Sequence, residues 1–172
     1  MFYTIFSFEL RYWLKRPLFY IYSAIFFALS VFAMAASAGL FEGVTVTINS
    51  ITKVNSASGI NALLNEMTLY LYFLLPSIIG STINKDYRYE MHSIMYSYPF
   101  KKWEYIFAKF LSGLFISIVI IIISAIGIML GSVLPGTNPD LLGPFVMMNY
   151  VTPFLYYVIP NLIFYGAKTI AP

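Results

Sequence analysis

The sequence has no cysteine, a single histidine and few charged residues, and each of these absences excludes a class of function. Without cysteine the chain forms no disulfide, no thiolate metal site and no cysteine nucleophile. The lone histidine, His92, does not make a metal site by itself. Only 10% of the 172 residues are charged, against about 25% in soluble domains, which is too few to cover a solvated surface. A soluble enzyme, a disordered tail and a nucleic-acid-binding module are therefore excluded.

Hydrophobic residues instead make up 60% of the chain, and aromatic residues 19%. The few charges leave uncharged intervals of 25, 18, 30 and 27 residues. A helix needs about 17–25 mostly apolar residues to cross a bilayer. The intervals predict an all-α polytopic membrane protein whose four transmembrane helices span residues 18–38, 62–83, 108–130 and 145–167.

The first of these intervals also has features of a cleaved signal peptide. Ala36-Ser37-Ala38 resembles a cleavage site. However, the apolar run of 21 residues is longer than the usual signal-peptide core of about 7–15, and a leader of 17 residues containing Glu9 precedes it. A transmembrane helix is the favoured interpretation.

Lysine and arginine alternate between the segments that flank the predicted spans. Three lie before the first span, one in the next loop, five from Lys85 to Lys109 and none in the third loop. Because basic residues accumulate in cytoplasmic loops, the N-terminus and the loop 84–104 are predicted to be cytoplasmic. Lys109, just inside the third span, is expected to extend its side chain back to the inner headgroups.

Residues 1–17 predict a helix that lies flat in the cytoplasmic interface. Polar side chains, among them Arg11 and Lys15, recur at helical spacing on one side, and apolar ones, among them Phe6 and Trp13, lie mostly on the other. The proline that ends this segment separates it from the first span. An alternative is that the segment only anchors that span through its basic residues.

Short patterns refine the loops and the spans. Residues 44–48 alternate apolar and polar, which predicts a short β-like strand in the first outer loop. The proline- and glycine-rich residues 133–145 predict a tight turn in the second outer loop. Gly127-x-x-x-Gly131 predicts a close helix contact, and three prolines predict breaks in the second and fourth spans: Pro76, Pro153 and Pro160.

Two features were considered as functional sites. The loop 84–104 interleaves aromatic residues with charges of both signs, which suits recognition of a cytosolic protein. An alternative is that its aromatic rings lie among the lipid headgroups. Glu66, about one turn into the second span, is a candidate for a transport path because a carboxylate within a membrane is usually functional.

The motifs of common catalytic and cofactor sites are missing from the sequence. There is no G-x-x-x-x-G-K-[ST] phosphate loop, no H-E-x-x-H and no G-x-S-x-G. We therefore predict that the chain is not an enzyme and holds no metal or other cofactor.

The order of these elements, and three motifs within it, resembles the first part of a type-two ABC exporter permease. The motifs are Phe8-Glu9-Leu10-Arg11-Tyr12, the run 86–94 that begins Asp86-Tyr87-Arg88-Tyr89-Glu90, and the run 98–105 that begins Tyr98-Pro99-Phe100-Lys101-Lys102. Residues 160–164, Pro-Asn-Leu-Ile-Phe, are similar to the Bacteroidetes branch of that family, whose longer members carry a zinc aminopeptidase-like domain.

The resemblance implies a function and a set of partners. Residues 1–17 would be the elbow helix, and the loop 84–104 would dock on a separate ABC ATPase subunit. The implied ATPase-coupling residues are Asp86, Arg88, Glu90, Met91, His92, Tyr98, Pro99, Phe100 and Lys101. Because permeases of this family usually have six spans, the chain is expected to be an N-terminal fragment.

The other implied partners are membrane lipid and a second permease copy or half, with no nucleic acid. The implied location is the bacterial inner membrane, with the N-terminus in the cytoplasm. The alternative function is that of a membrane scaffold or assembly protein without transport activity.

Overall fold

The computed structural model describes residues 2–41, 53–88 and 102–170, and the regular structure in these ranges is helical. The first four helices are α1 (Phe2–Leu14), α2 (Pro17–Ser37), α3 (Ala57–Arg88) and α4 (Lys102–Gly131). After a 3-10 turn at Pro139–Leu141, the last helical segment comprises α5 (Met148–Pro153), a π-helical stretch (Phe154–Val158) and α6 (Ile159–Ile170). The predicted strand at residues 44–48 lies outside the described residues.

Within the described part of the chain, three helices are long and apolar enough to cross a membrane. They comprise Pro17–Ser37, Ala57–Ser81 and Trp103–Gly131, and they coincide with the first three predicted spans. The prediction of a helical membrane protein is confirmed at this level. Pro17 occupies the first turn of α2, where its missing N–H breaks no hydrogen bond, and Arg16 before it is extended.

The fourth predicted span is divided in the structure. α5 has 6 residues and α6 has 12, and neither alone is long enough to cross about 30 Å of hydrocarbon. Between them, the N–H of Ile159 donates to the carbonyl of Phe154, five residues back. The prolines 153 and 160 flank this irregular stretch, because a proline inside a helix removes a donor from the regular ladder.

Helix α4 is the centre of the fold, since it packs against α1, α2, α3 and α6. Its closest approach is to α2. A Cβ added at Gly127 would lie 2.9 Å from the carbonyl oxygen of Phe27, and one added at Gly131 would lie 2.8 Å from the Cβ of Met34. The close contact predicted from the two glycines is therefore confirmed, because only glycine allows backbones to approach this closely.

The α2–α3 and α4–α5 connections are joined by hydrogen bonds at one end of the bundle. Asn55 is the main link: its Oδ1 accepts from the N–H of Gly143, and its Nδ2 donates to the carbonyl of the same glycine, both at 2.7 Å. The N–H of Val54 donates to the carbonyl of Leu141 at 2.9 Å. The predicted turn at residues 133–145 thus includes the 3-10 turn and is fixed to the start of α3.

Candidate functional site

A buried ion pair joins α1 to α4. The Nζ of Lys109 lies 3.4 Å from Oε1 of Glu9, and the two side chains are 1% and 3% exposed. Taking each charge out of water costs several kcal/mol, which only a close partner offsets. The pair therefore fixes the position of α1 along α4, because any shift that separates the two charges leaves both of them buried and uncompensated.

Aromatic side chains surround this ion pair. The ring of Tyr105, one turn before Lys109 on α4, lies 4.9 Å from Nζ, a distance at which a ring face attracts a cation. Trp13, one turn after Glu9 on α1, is 2% exposed. Its Nε1 is buried and has no hydrogen-bond partner among the described residues. The charges thus lie in an apolar, water-poor setting that strengthens their attraction.

Two further ring contacts hold the same pair of helices together. The centroids of Phe2 and Phe107 are 6.2 Å apart, and those of Phe6 and Phe115 are 6.3 Å apart with the rings nearly perpendicular. Such edge-to-face pairs contribute about 0.5–1.5 kcal/mol each beyond the area they bury. We call Glu9, Lys109 and these four phenylalanines the α1–α4 clasp.

The prediction that Lys109 extends to the lipid headgroups is wrong. The side chain is 1% exposed because it points between helices toward Glu9 instead of along the surface of α4. Glu9 itself was not given a role from the residue pattern. The signal was present: Glu9 lies on the apolar side of α1 together with Trp13, and a carboxylate on an apolar face requires a buried cation as partner.

The predicted interfacial helix has the two faces that its sequence indicates. Arg11 and Lys15 are exposed, Phe6 is half-buried and Trp13 is buried. The apolar side packs on α4 within the protein. That α1 also lies along a membrane surface stays a prediction.

The structure locates only part of the predicted ATPase-coupling set. Asp86 and Arg88 belong to the last turns of α3, which ends at Arg88. The remaining residues of the set lie outside the described residues: Glu90, Met91, His92, Tyr98, Pro99, Phe100 and Lys101. α4 begins at Lys102, so the two helices bracket the segment 89–101.

Glu66 lies on α3 with its side chain exposed. It is therefore separate from the α1–α4 clasp, and a role in a transport path stays a prediction. Its neighbour Asn65 has a defined contact, since the hydroxyl of Tyr157 donates to Oδ1 of Asn65. This bond ties the π-helical stretch to α3. Among the residues whose side chains are described, no cluster of three His, Cys, Asp or Glu could hold a metal ion.

Comparison of the chain with protein-family models, with curated proteins and with solved structures finds no match. The site is therefore interpreted from its own geometry. It contains no arrangement of nucleophile and base; what it does contain is a strong, buried connection between the N-terminal helix and the helix that follows the charged segment.

Proposed function

We propose that the chain is a membrane permease subunit, the N-terminal part of an ATP-driven exporter, that docks a separate ATPase through residues 84–104. One observation carries the proposal: both ends of the segment 89–101 are held by long helices that pack against each other. α3 continues as a helix through the charged residues Lys85, Asp86 and Arg88, and α4 starts at Lys102.

This arrangement is suited to transmitting movement. A helix is stiff along its axis because every turn is hydrogen-bonded, so a displacement of the segment 89–101 moves α3 and α4 instead of being absorbed nearby. The Glu9–Lys109 pair makes α1 follow α4. ATP binding and hydrolysis take place on the partner subunit, and the chain supplies the docking surface and the helices that move.

The proposal includes four spans, with residues 148–170 as the fourth. Taken together, α5, the π-helical stretch and α6 pack against α3 along their length, and neighbouring helices are what a proline-broken span needs to satisfy its freed backbone groups. Lys168 in the last turn of α6 then lies on the same side as the charged segment. That side is cytoplasmic in the proposed bacterial inner membrane, and a second copy or half completes the transport unit.

The test is purification of the tagged chain from its native membrane in mild detergent, with partners identified by mass spectrometry. We expect an ATPase with a phosphate-binding loop to copurify. Asp86→Lys, Arg88→Glu and Glu90→Lys should each weaken its recovery, because like charges at a docking surface repel. Asp140→Lys is the matched control, since Asp140 is exposed on the α4–α5 connection, at the other end of α4.

Two results would contradict the proposal. Unchanged ATPase recovery in all three variants would remove the docking role of the segment. Consistent copurification of a partner without nucleotide chemistry, lost in the same variants, would favour the scaffold alternative. The proposal also requires that the variants insert normally, which protease protection of the membrane fraction measures.

A further inference from the structure

A groove of about 320 Å³ lies between α3 and α6, away from the α1–α4 clasp. Its volume is at the lower end of the range of about 300–1,000 Å³ that is typical of small-molecule sites. The residues that line it are Tyr72, Leu75, Pro76, Tyr165, Lys168 and Thr169.

The groove collects hydrogen-bond donors without acceptors. Within the described part of the chain, no carboxylate lies within ion-pair distance of Lys168, and the hydroxyls of Tyr72 and Tyr165 have no hydrogen-bond partner. The hydroxyl of Thr169 is already used, since it donates to the carbonyl of Tyr165 at 3.0 Å. One ammonium and two phenol groups are the donors that remain, and a ligand with several acceptor oxygens and negative charge complements them.

The rest of the groove is apolar. The rings of Tyr72 and Tyr165 stack with their centroids 3.9 Å apart, and Leu75 and Pro76 complete the lining. The adjacent surface continues this apolar character, since Phe73 is 83% and Phe164 is 66% exposed. In a chain that spans a bilayer, such a surface contacts lipid acyl chains. A ligand with both a charged and an apolar part fits both halves of the groove.

We propose that this groove binds an anionic phospholipid, with the headgroup phosphate at Lys168 and the two tyrosine hydroxyls. The glycerol and the start of an acyl chain lie against Leu75 and Pro76. Lys168 is in the last turn of α6, where a lysine reaches the headgroup layer. The site does not depend on the permease function, because a scaffold with the same fold would bind the same lipid.

The test is native mass spectrometry of the purified full chain in detergent, titrated with phosphatidylglycerol. We expect Lys168→Gln to weaken binding about tenfold, the loss of one charge-assisted contact, which corresponds to about 1.4 kcal/mol. Tyr165→Phe keeps the stacked ring and removes one donor, so we expect a loss of about threefold. Lys15→Gln is the matched control, since Lys15 is also an exposed basic residue but lies on α1; its effect should stay below about twofold.

The competing results are separable in the same experiment. Equal losses in Lys168→Gln and Lys15→Gln would show only a general attraction between a basic chain and an acidic lipid, and would overturn the proposal. Equal binding of phosphatidylcholine would remove the preference for an anionic lipid. Inorganic phosphate binding as tightly as phosphatidylglycerol would identify a phosphate site without lipid character. A dimer that forms in the absence of lipid and dissociates in Lys168→Gln would assign the groove to a second copy of the chain.

Discussion

Lys109 Nζ lies 3.4 Å from Glu9 Oε1, and neither side chain is more than 3% exposed. The two residues come from α1 and α4, which meet along the phenylalanine contacts on either side of this pair. A buried pair of this kind contributes little net stability compared with apolar residues of the same size, but it allows only one alignment of the two helices. Its role in the fold is therefore to specify how α1 sits on α4.

Removing one charge of this pair is expected to be far more harmful than removing both. Glu9→Gln leaves the Lys109 ammonium buried without a counter-charge, and Lys109→Met does the same to the Glu9 carboxylate. Each single variant should lose about 3–5 kcal/mol of unfolding free energy, whereas the double variant should lose clearly less than either. Unfolding of the detergent-solubilised chain in a denaturing detergent, followed by circular dichroism, measures the difference.

The matched control for this cycle is Glu66→Gln, which removes the charge of an exposed carboxylate and should change the unfolding free energy by less than about 0.5 kcal/mol. Additive losses from Glu9→Gln and Lys109→Met would mean that the two groups do not interact, and the α1–α4 clasp would then rest on its ring contacts alone.

The α2–α4 contact gives a second prediction with an internal comparison between two glycines. Gly127→Ala places a methyl group 2.9 Å from the carbonyl oxygen of Phe27 and 3.0 Å from the Cβ of Ser30. The helices must move apart, so we expect a loss of about 1–3 kcal/mol. Gly80→Ala meets nothing within 4 Å in α3, and should stabilise by up to about 1 kcal/mol through helix propensity. Equal effects of the two substitutions would show that α2 and α4 do not approach this closely.

Much of this architecture follows from the sequence because few residues carry charge. Charges mark the ends of apolar helices, so the spacing of charged residues located the helices α2, α3 and α4 to within several residues. The glycine pair at 127 and 131 also indicated a close contact, although its partner, α2, became known only from the structure. Local patterns of this kind depend on the residue types themselves and are readable from one chain.

The pairing of Glu9 with Lys109 could not be read in the same way. Their contact depends on how α1 folds back onto α4, a relationship between distant segments that no local period encodes. The division of residues 148–170 was only half predicted: the prolines indicated breaks, but the five-residue π-helical stretch depends on how the segment packs against α3. Tertiary contacts therefore decided the features that the sequence analysis missed.

Asn55 gives a third prediction, for the end of the bundle where the connections meet. It is 6% exposed and exchanges two hydrogen bonds of 2.7 Å with the backbone of Gly143. Asn55→Asp keeps the acceptor, loses the donor and places a carboxylate against the Gly143 carbonyl. We expect a local cost of about 1–3 kcal/mol, seen as faster proteolysis within residues 133–147. Asn61→Asp is the control, since Asn61 is half-buried on α3 and should leave the proteolysis rate unchanged.

The absence of cysteine makes a topology experiment direct, because every introduced thiol is the only one in the chain. In intact spheroplasts, a membrane-impermeant maleimide should label cysteines at Ser50 and Thr137, whereas cysteines at Ser93 and Ala171 should label only after permeabilisation. The first three positions test the orientation set by the basic residues. Ala171 follows the end of α6 at Ile170, so it tests whether residues 148–170 cross the membrane. Labelling of Ala171→Cys from outside, with the other positions as expected, would mean that the proline-broken segment returns to the side on which it started, and that the chain has three spans instead of four.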